Sequence, residues 1–210
     1  MREPAEKRAI AFVDGQNLFR HAKDAFGHHH PNFDLLKLHG GICAKHGWIP
    51  AGIRFYTGIP TAKRDPFWHG YWERRLLGMS RAGIHVTTRP LRYRDIDTFD
   101  SQGNRVIRSI AQEKGIDVRI ALDILSMALE GAYDVAVIFS QDQDLAEVVS
   151  DVKRVARIRN RWIKLACAFP VGRQATSSRG INGTDWIRMD AEFYNSCLDP
   201  RDYRPTRKRD

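Results

Sequence analysis

Aspartates gather at three places in this chain. Phe12-Val13-Asp14-Gly15-Gln16-Asn17 closes one apolar run, and Ile138-Phe139-Ser140-Gln141-Asp142-Gln143-Asp144 closes another. Asp117 and Asp123 lie between them, in the segment Lys114-Gly115-Ile116-Asp117-Val118-Arg119-Ile120-Ala121-Leu122-Asp123. Carboxylates pressed together repel one another and persist only when a proton or a hard cation neutralises them. Mg²⁺ and Mn²⁺ prefer oxygen ligands, and no His or Cys stands at zinc spacing to compete. Such an ion would polarise a phosphate and lower the pKa of a bound water. Asn17 adds a neutral oxygen or an amide donor that could orient a carboxylate or the water. The plainer alternative is that Asp14, Ser140, Asp142 and Asp117 cap helices.

These acids can meet only if the elements around them bring them together. Short apolar runs at 8–13, 53–58, 83–87, 134–140 and 163–169 read as buried strands. Between them, 16–26, 35–45, 66–77, 117–130 and 145–158 carry apolar residues at helical spacing. The alternation predicts an α/β fold with a mostly parallel sheet and helices on both faces. The carboxyl ends of parallel strands share one edge, where ligands bind, so Asp14, Asp142 and Asp144 are expected to converge there. Asp117 and Asp123 are six residues apart and, at ~100° per residue, do not share a helical face. Which of them faces the site is left open by the spacing.

Residues 91–113 are polar, and Ser101-Gln102-Gly103-Asn104 predicts a β-hairpin turn. Residues 1–198 read as one domain carrying that hairpin as an excursion, and 199–210 as a basic, flexible tail.

The chain has 210 residues, with 34 Lys plus Arg against 25 Asp plus Glu, a net charge of +9. That balance and a pI near 9.7 favour anionic partners. Its 42% hydrophobic content is that of a folded globular chain. Three widely spaced cysteines argue against a disulfide scaffold and a structural zinc site. No window has the ~18 apolar residues of a membrane span. The charged first residues do not read as a secretory leader, and a reducing cytoplasm is the expectation.

Basic residues crowd 153–164, where Lys153, Arg154 and Arg157 share a helical face. Arg89, Arg92 and Arg94 surround Tyr93. Arginine beside aromatics suits phosphate contact and base stacking on single strands. His28-His29-His30 reads as a surface loop, and Trp68 and Trp72 as core or partner-facing.

The stretches Ala11–Leu18, Lys114–Asp123 and Ile138–Leu145, in this order and spacing, resemble the NYN domain family, LabA-like branch, of the PIN-like nucleases. The resemblance implies a three-layer α/β/α sandwich around a parallel sheet. It also implies a Mg²⁺- or Mn²⁺-dependent ribonuclease. On that likeness Asp14 is the first-strand metal acid with Asn17 beside it, and Asp123 is the helix acid with Asp117 as an additional aspartate. Asp142 and Asp144 are the acids after the fourth core strand, and Ser140 is the hydroxyl before them. Lys114, Ser140, Arg154, Arg157 and Arg161 are expected to hold the substrate. Gln141, Gln143 and Leu145 stand where related sequences often carry glycines and an aromatic, and the glutamines are expected to narrow the site.

Single-stranded or structured RNA is the expected partner, with DNA and a homodimer left open and no membrane. Two other readings stand beside this one: a catalytically weak RNA-binding adaptor on the same fold, and a nucleotide-sugar transferase suggested by the Asp142-Gln143-Asp144 spacing.

Overall fold

A computed structural model describes residues 1–173, 175 and 177–205. The chain runs β1 (Arg8–Asp14), α1 (Gly15–Phe26), α2 (Leu35–His46), β2 (Ile49–Ile59), α3 (Pro66–Arg81), β3 (His85–Pro90), β4 (Arg92–Phe99), β5 (Arg105–Gln112) and α4 (Ile116–Glu130). It continues through β6 (Val135–Phe139), a single 3₁₀ turn (Gln143–Leu145), α5 (Ala146–Ile158), β7 (Lys164–Pro170), β8 (Asp185–Met189) and α6 (Ala191–Ser196). Six strands form one sheet in the order β3-β2-β1-β6-β7-β8, and every pairing in it is parallel.

The layers follow from the two-residue period of β1. Ala9, Ala11 and Val13 face a core built with Leu18, Leu38, Tyr71, Trp72 and Tyr194, so α1, α2, α3 and α6 cover that side. Ile10 and Phe12 face the other core, with Ile120 and Ile124 of α4 and Val148 and Val152 of α5. Burying a large side chain on both faces contributes ~1.5–3 kcal/mol each, which explains why the central strands β1 and β6 are apolar almost without interruption. The result is a three-layer α/β/α sandwich.

Local signals set the ends of the helices. Asp34 caps α2 by accepting from the Leu36 and Lys37 N–H groups, and Asp65 caps α3, with Pro66 in its first turn. Gly115 (φ +75°) starts α4 in a left-handed conformation that suits glycine, without a side-chain cap. Asp117 is thereby left free of capping duty.

β4 and β5 pair antiparallel as a separate ribbon between β3 and α4. Their register puts Arg92, Arg94, Ile96, Arg108, Val106 and Ile110 on one face, which carries no acid. Arg64 stacks over Tyr93 of the other face, 5.1 Å from the ring.

Residues 199–205, expected to be a flexible tail, dock on α3. The Tyr203 carbonyl accepts from Arg74 Nε at 2.9 Å, and its ring lies over the Arg75 guanidinium at 5.6 Å. The basic run 207–209 lies outside the described residues. Cys43, Cys167 and Cys197 are buried and free. Among the described residues no helix is long and apolar enough to cross a membrane.

Candidate active-site cleft

β1 lies between β2 and β6, and the chain leaves it in opposite directions along the sheet. That is a topological switch point, where the carboxyl ends of an open α/β sheet leave a crevice. Val13 pairs with Phe139, so Asp14 and the segment Ser140–Asp142 emerge side by side. A cleft of about 450 Å³ opens there, lined by Asp14, Gln16, Asn17, Arg20, Lys114, Asp117 and Asp142 and by residues 111–113 at the foot of the ribbon.

Asp14 ends β1 and caps α1, its Oδ1 accepting from the Asn17 N–H at 3.0 Å. It is only 7% exposed. Burial raises its carboxyl to about 6; the Asn17 N–H pulls the other way, while Asp142 and Asp117 push it further up. Asp142 and Asp117 are therefore both close enough to Asp14 to act on its charge. Asp142 caps the 3₁₀ turn by accepting from the Asp144 N–H at 3.0 Å. Asn17 Oδ1 accepts from the Gln141 N–H at 2.9 Å and ties the start of α1 to the loop after β6.

Asp117 and Asp123 divide, as their spacing requires. Asp117, in the first turn of α4, lines the cleft. Asp123, 3% exposed, is not brought to it. Its carboxylate accepts from the Tyr56 hydroxyl at 2.7 Å, from Arg54 Nε at 3.4 Å and from the Arg119 guanidinium. An acid this deep needs cations and hydrogen bonds, and two arginines with a tyrosine supply them. Of the two α4 aspartates, Asp117 is the one that lines the cleft.

Asp144 is exposed and does not line the cleft. Its backbone serves Asp142, but its carboxylate does not join the other acids. Ser140, 2% exposed, accepts from the Asp142 N–H at 3.2 Å and so shapes the loop. The glutamines do not narrow the cleft. Gln141 Nε2 donates to the carbonyls of Arg179 (2.7 Å) and Ser177 (3.4 Å). Gln143 donates to the Gly180 carbonyl at 3.1 Å and accepts from the Asn182 N–H at 3.2 Å. Both pin the 177–182 loop.

Lys114 lines the cleft, whereas Arg154, Arg157 and Arg161 do not. Arg154 pairs with Asp151 at 3.0 Å, and Arg157 lines a different cavity with Lys153 and Ile163. Arg161 donates to the carbonyls of Ala128, Gly131 and Tyr133 and to Asp134, at the amino end of β6. A crossover helix that begins at the carboxyl edge of a parallel sheet must end at the amino edge. The end of α5 therefore carries these arginines away from the acids.

Two cleft residues escape the sequence reading. Arg20, one α1 turn beyond Gln16, donates to Gln16 Oε1 at 2.9 Å and opposes the rise at Asp14. Glu113, at the foot of the ribbon, accepts from the Gly58 N–H. Burial raises its carboxyl to about 7, with Asp14 and Asp117 adding to the rise. Gly58 permits this approach, because a Cβ there would stand 2.7 Å from Glu113 Cγ. Glu113 ends an irregular polar stretch, and no strand-end or helix-start pattern marks it.

The donor set is all oxygen and suits a hard cation. Among the described residues, however, no three His, Cys, Asp or Glu side chains already stand within range of one ion. Mg²⁺ requires only one or two protein carboxylates, its remaining positions being taken by water and substrate phosphate.

Residues 8–159 match the NYN domain family, and the chain belongs to it, with the PIN-like nuclease fold that membership entails. A protein of unknown function from Vibrio parahaemolyticus has a similar fold (TM-score 0.54, 20% identity). The match covers 92% of this chain and 99% of that one. MurG of Acinetobacter baumannii matches at a TM-score of 0.33 and 13% identity, over 87% of this chain and 45% of that one, a likeness too slight to carry any argument. No curated protein matches the sequence.

Proposed function

We propose that the chain is a divalent-metal-dependent ribonuclease of the LabA-like branch that hydrolyses phosphodiester bonds in single-stranded RNA. The observation that carries this is the meeting of Asp14, Asp117 and Asp142, from three distant segments, in one cleft at the switch point. One or two of the acids Asp14, Asp117 and Asp142, with water and substrate phosphate, would hold Mg²⁺ or Mn²⁺, which when bound supplies a polarised phosphate and a water acidic enough to ionise near neutral pH.

The chain's own groups do the rest. Lys114 and Arg20 place positive charge on the cleft wall for the non-bridging phosphate oxygens. Glu113, with its carboxyl near 7, is matched to taking a proton from the attacking water at neutral pH. Its Gly58 hydrogen bond holds it in place. Attack of the water oxygen forms a new P–O bond as the P–O3′ bond breaks; O3′ leaves as a hydroxyl with a proton from solvent, and a 5′-phosphate remains. The arginine face of the β4–β5 ribbon, whose foot lines the cleft, supports strand binding.

Neither other reading gains a specific observation. A catalytically weak adaptor would be favoured by Gln141 and Gln143 filling the cleft, but they turn to the 177–182 loop. The transferase reading needs Asp142 and Asp144 together, and Asp144 lies outside the cleft.

The test incubates the wild type and Asp142→Asn with end-labelled single-stranded RNA in EDTA, Mg²⁺ or Mn²⁺. Metal-dependent cleavage by the wild type alone, with 5′-phosphate products, supports the proposal. Strong RNA binding without metal-stimulated turnover in the wild type refutes it.

A further inference from the structure

A second cavity, of about 240 Å³, opens beside the acidic cleft and shares Gln16 and Arg20 with it. Its remaining walls are chiefly aromatic: Phe19 from α1, Trp68 and Trp72 from α3, and His29 from the loop before α2. Trp68 and Trp72 stand at i and i+4, so one side of α3 presents both indoles. The rings are supported from behind. Trp72 is 7% exposed and packs on Phe55, with ring centroids 6.1 Å apart; Trp68 meets Tyr71 edge-on at 5.2 Å.

Three features identify an occupant. The walls offer π-faces, which bind flat conjugated rings irrespective of their edge pattern. The volume is below the roughly 300–1,000 Å³ of pockets for drug-sized ligands and suits one small ring system. The wall common to both cavities carries the Arg20 guanidinium, so a ligand that fills this cavity lies next to a phosphate in the other. An apolar side chain or lipid tail would satisfy the first feature but has no use for the last.

We propose that this cavity is a nucleobase subsite: an unpaired base of the strand whose backbone lies in the acidic cleft enters it and rests against Phe19 and Trp68. The proposal rests on the reading of that cleft as a nucleic-acid site and deepens it. A base inside a duplex is already stacked and cannot enter. The subsite therefore selects for single strands and, because stacking is tolerant of base identity, against narrow sequence preference.

The test measures binding in EDTA, where turnover is blocked. Dye-labelled oligouridylate is compared with a ribose-phosphate oligomer of the same length that lacks bases. The wild type is expected to hold the uridylate at least about tenfold more tightly. Trp68→Ala should erase that difference while leaving the abasic affinity unchanged, and Trp68→Phe should restore it. Phe19→Ala reads the same wall should Trp68→Ala fail to fold. Equal affinity of the wild type for both oligomers, or uridylate binding by a folded Trp68→Ala variant at the wild-type level, overturns the subsite. Metal-dependent cleavage, measured separately, keeps the two ideas apart. Cleavage without base discrimination sinks the subsite alone. Base discrimination without cleavage supports the subsite and sinks the nuclease reading alone.

Discussion

The side-chain oxygen of Asn17 lies 2.9 Å from the backbone nitrogen of Gln141. This bond bridges 124 residues of chain and joins the start of α1 to the loop that carries Asp142. Together with the Asp14–Asn17 cap, it makes a short chain of contacts from one acid of the cleft to the segment holding another. Asn17→Leu should leave the Gln141 N–H unpaired, at a cost of about 1–3 kcal/mol. Thermal unfolding should show that loss. The cleavage rate should fall at least about tenfold in protein that is still folded, because Asp142 is no longer held opposite Asp14.

Asp142→Asn should abolish metal-stimulated cleavage and leave the melting temperature at pH 7 unchanged or higher. Removing this charge relieves the repulsion felt by Asp14. A variant with full turnover would remove Asp142 from the machinery.

Asp123→Ala should behave oppositely. Arg54, Arg119 and Tyr56 would lose their common partner, and breaking a buried pair costs roughly 3–5 kcal/mol. Chemical denaturation should report the loss. At temperatures where the variant remains folded, it should keep most of the wild-type turnover per folded molecule. Loss of turnover in a fully folded variant would return Asp123 to the site.

The raised carboxyl of Asp14, about 6 against 3.8 for a free side chain, has a definite sign. Between these values the folded state holds a proton that the unfolded chain has released, so the contribution to stability falls as pH rises through that window. Asp14→Asn removes the effect. The variant should match the wild type near pH 4 and exceed it near pH 7 by up to ~3 kcal/mol, at 1.36 kcal/mol per unit. Mg²⁺ or Mn²⁺ should stabilise the wild type at pH 7 and lose that effect toward pH 5, because Asp14 (about 6) must release its proton to bind it. Melting curves of both proteins across this range, with and without metal, check both points.

Arg92, Arg94 and Arg108 share the acid-free face of the ribbon. Replacing all three by Gln should weaken single-stranded RNA binding. The slope of log affinity against log salt should become shallower by about 2, at roughly 0.7 per neutralised phosphate. An unchanged slope would mean the ribbon does not touch the backbone.

The layered fold and two of the three cleft aspartates were legible in the sequence because their signals are local. Apolar runs closing on Asp14-Gly15 and on Ser140-Gln141-Asp142, with helical spacing between strands, imply a parallel sheet whose carboxyl edge gathers those acids. Rotation and direction were decided by packing. The six-residue spacing says that Asp117 and Asp123 diverge around α4. Only the burial of Ile116, Ile120 and Ile124 against the sheet turns Asp117 to the cleft and Asp123 to Arg54 and Arg119. In the same way, the return of α5 across the sheet carries Arg157 and Arg161 away from the acids, and the 177–182 loop draws Gln141 and Gln143 aside. Glu113, Arg20 and the Trp68–Phe19 cavity join segments with no shared pattern in the chain. Periodicity records which residues are buried along one element, and the proximity of side chains from different elements exists only once those elements are packed.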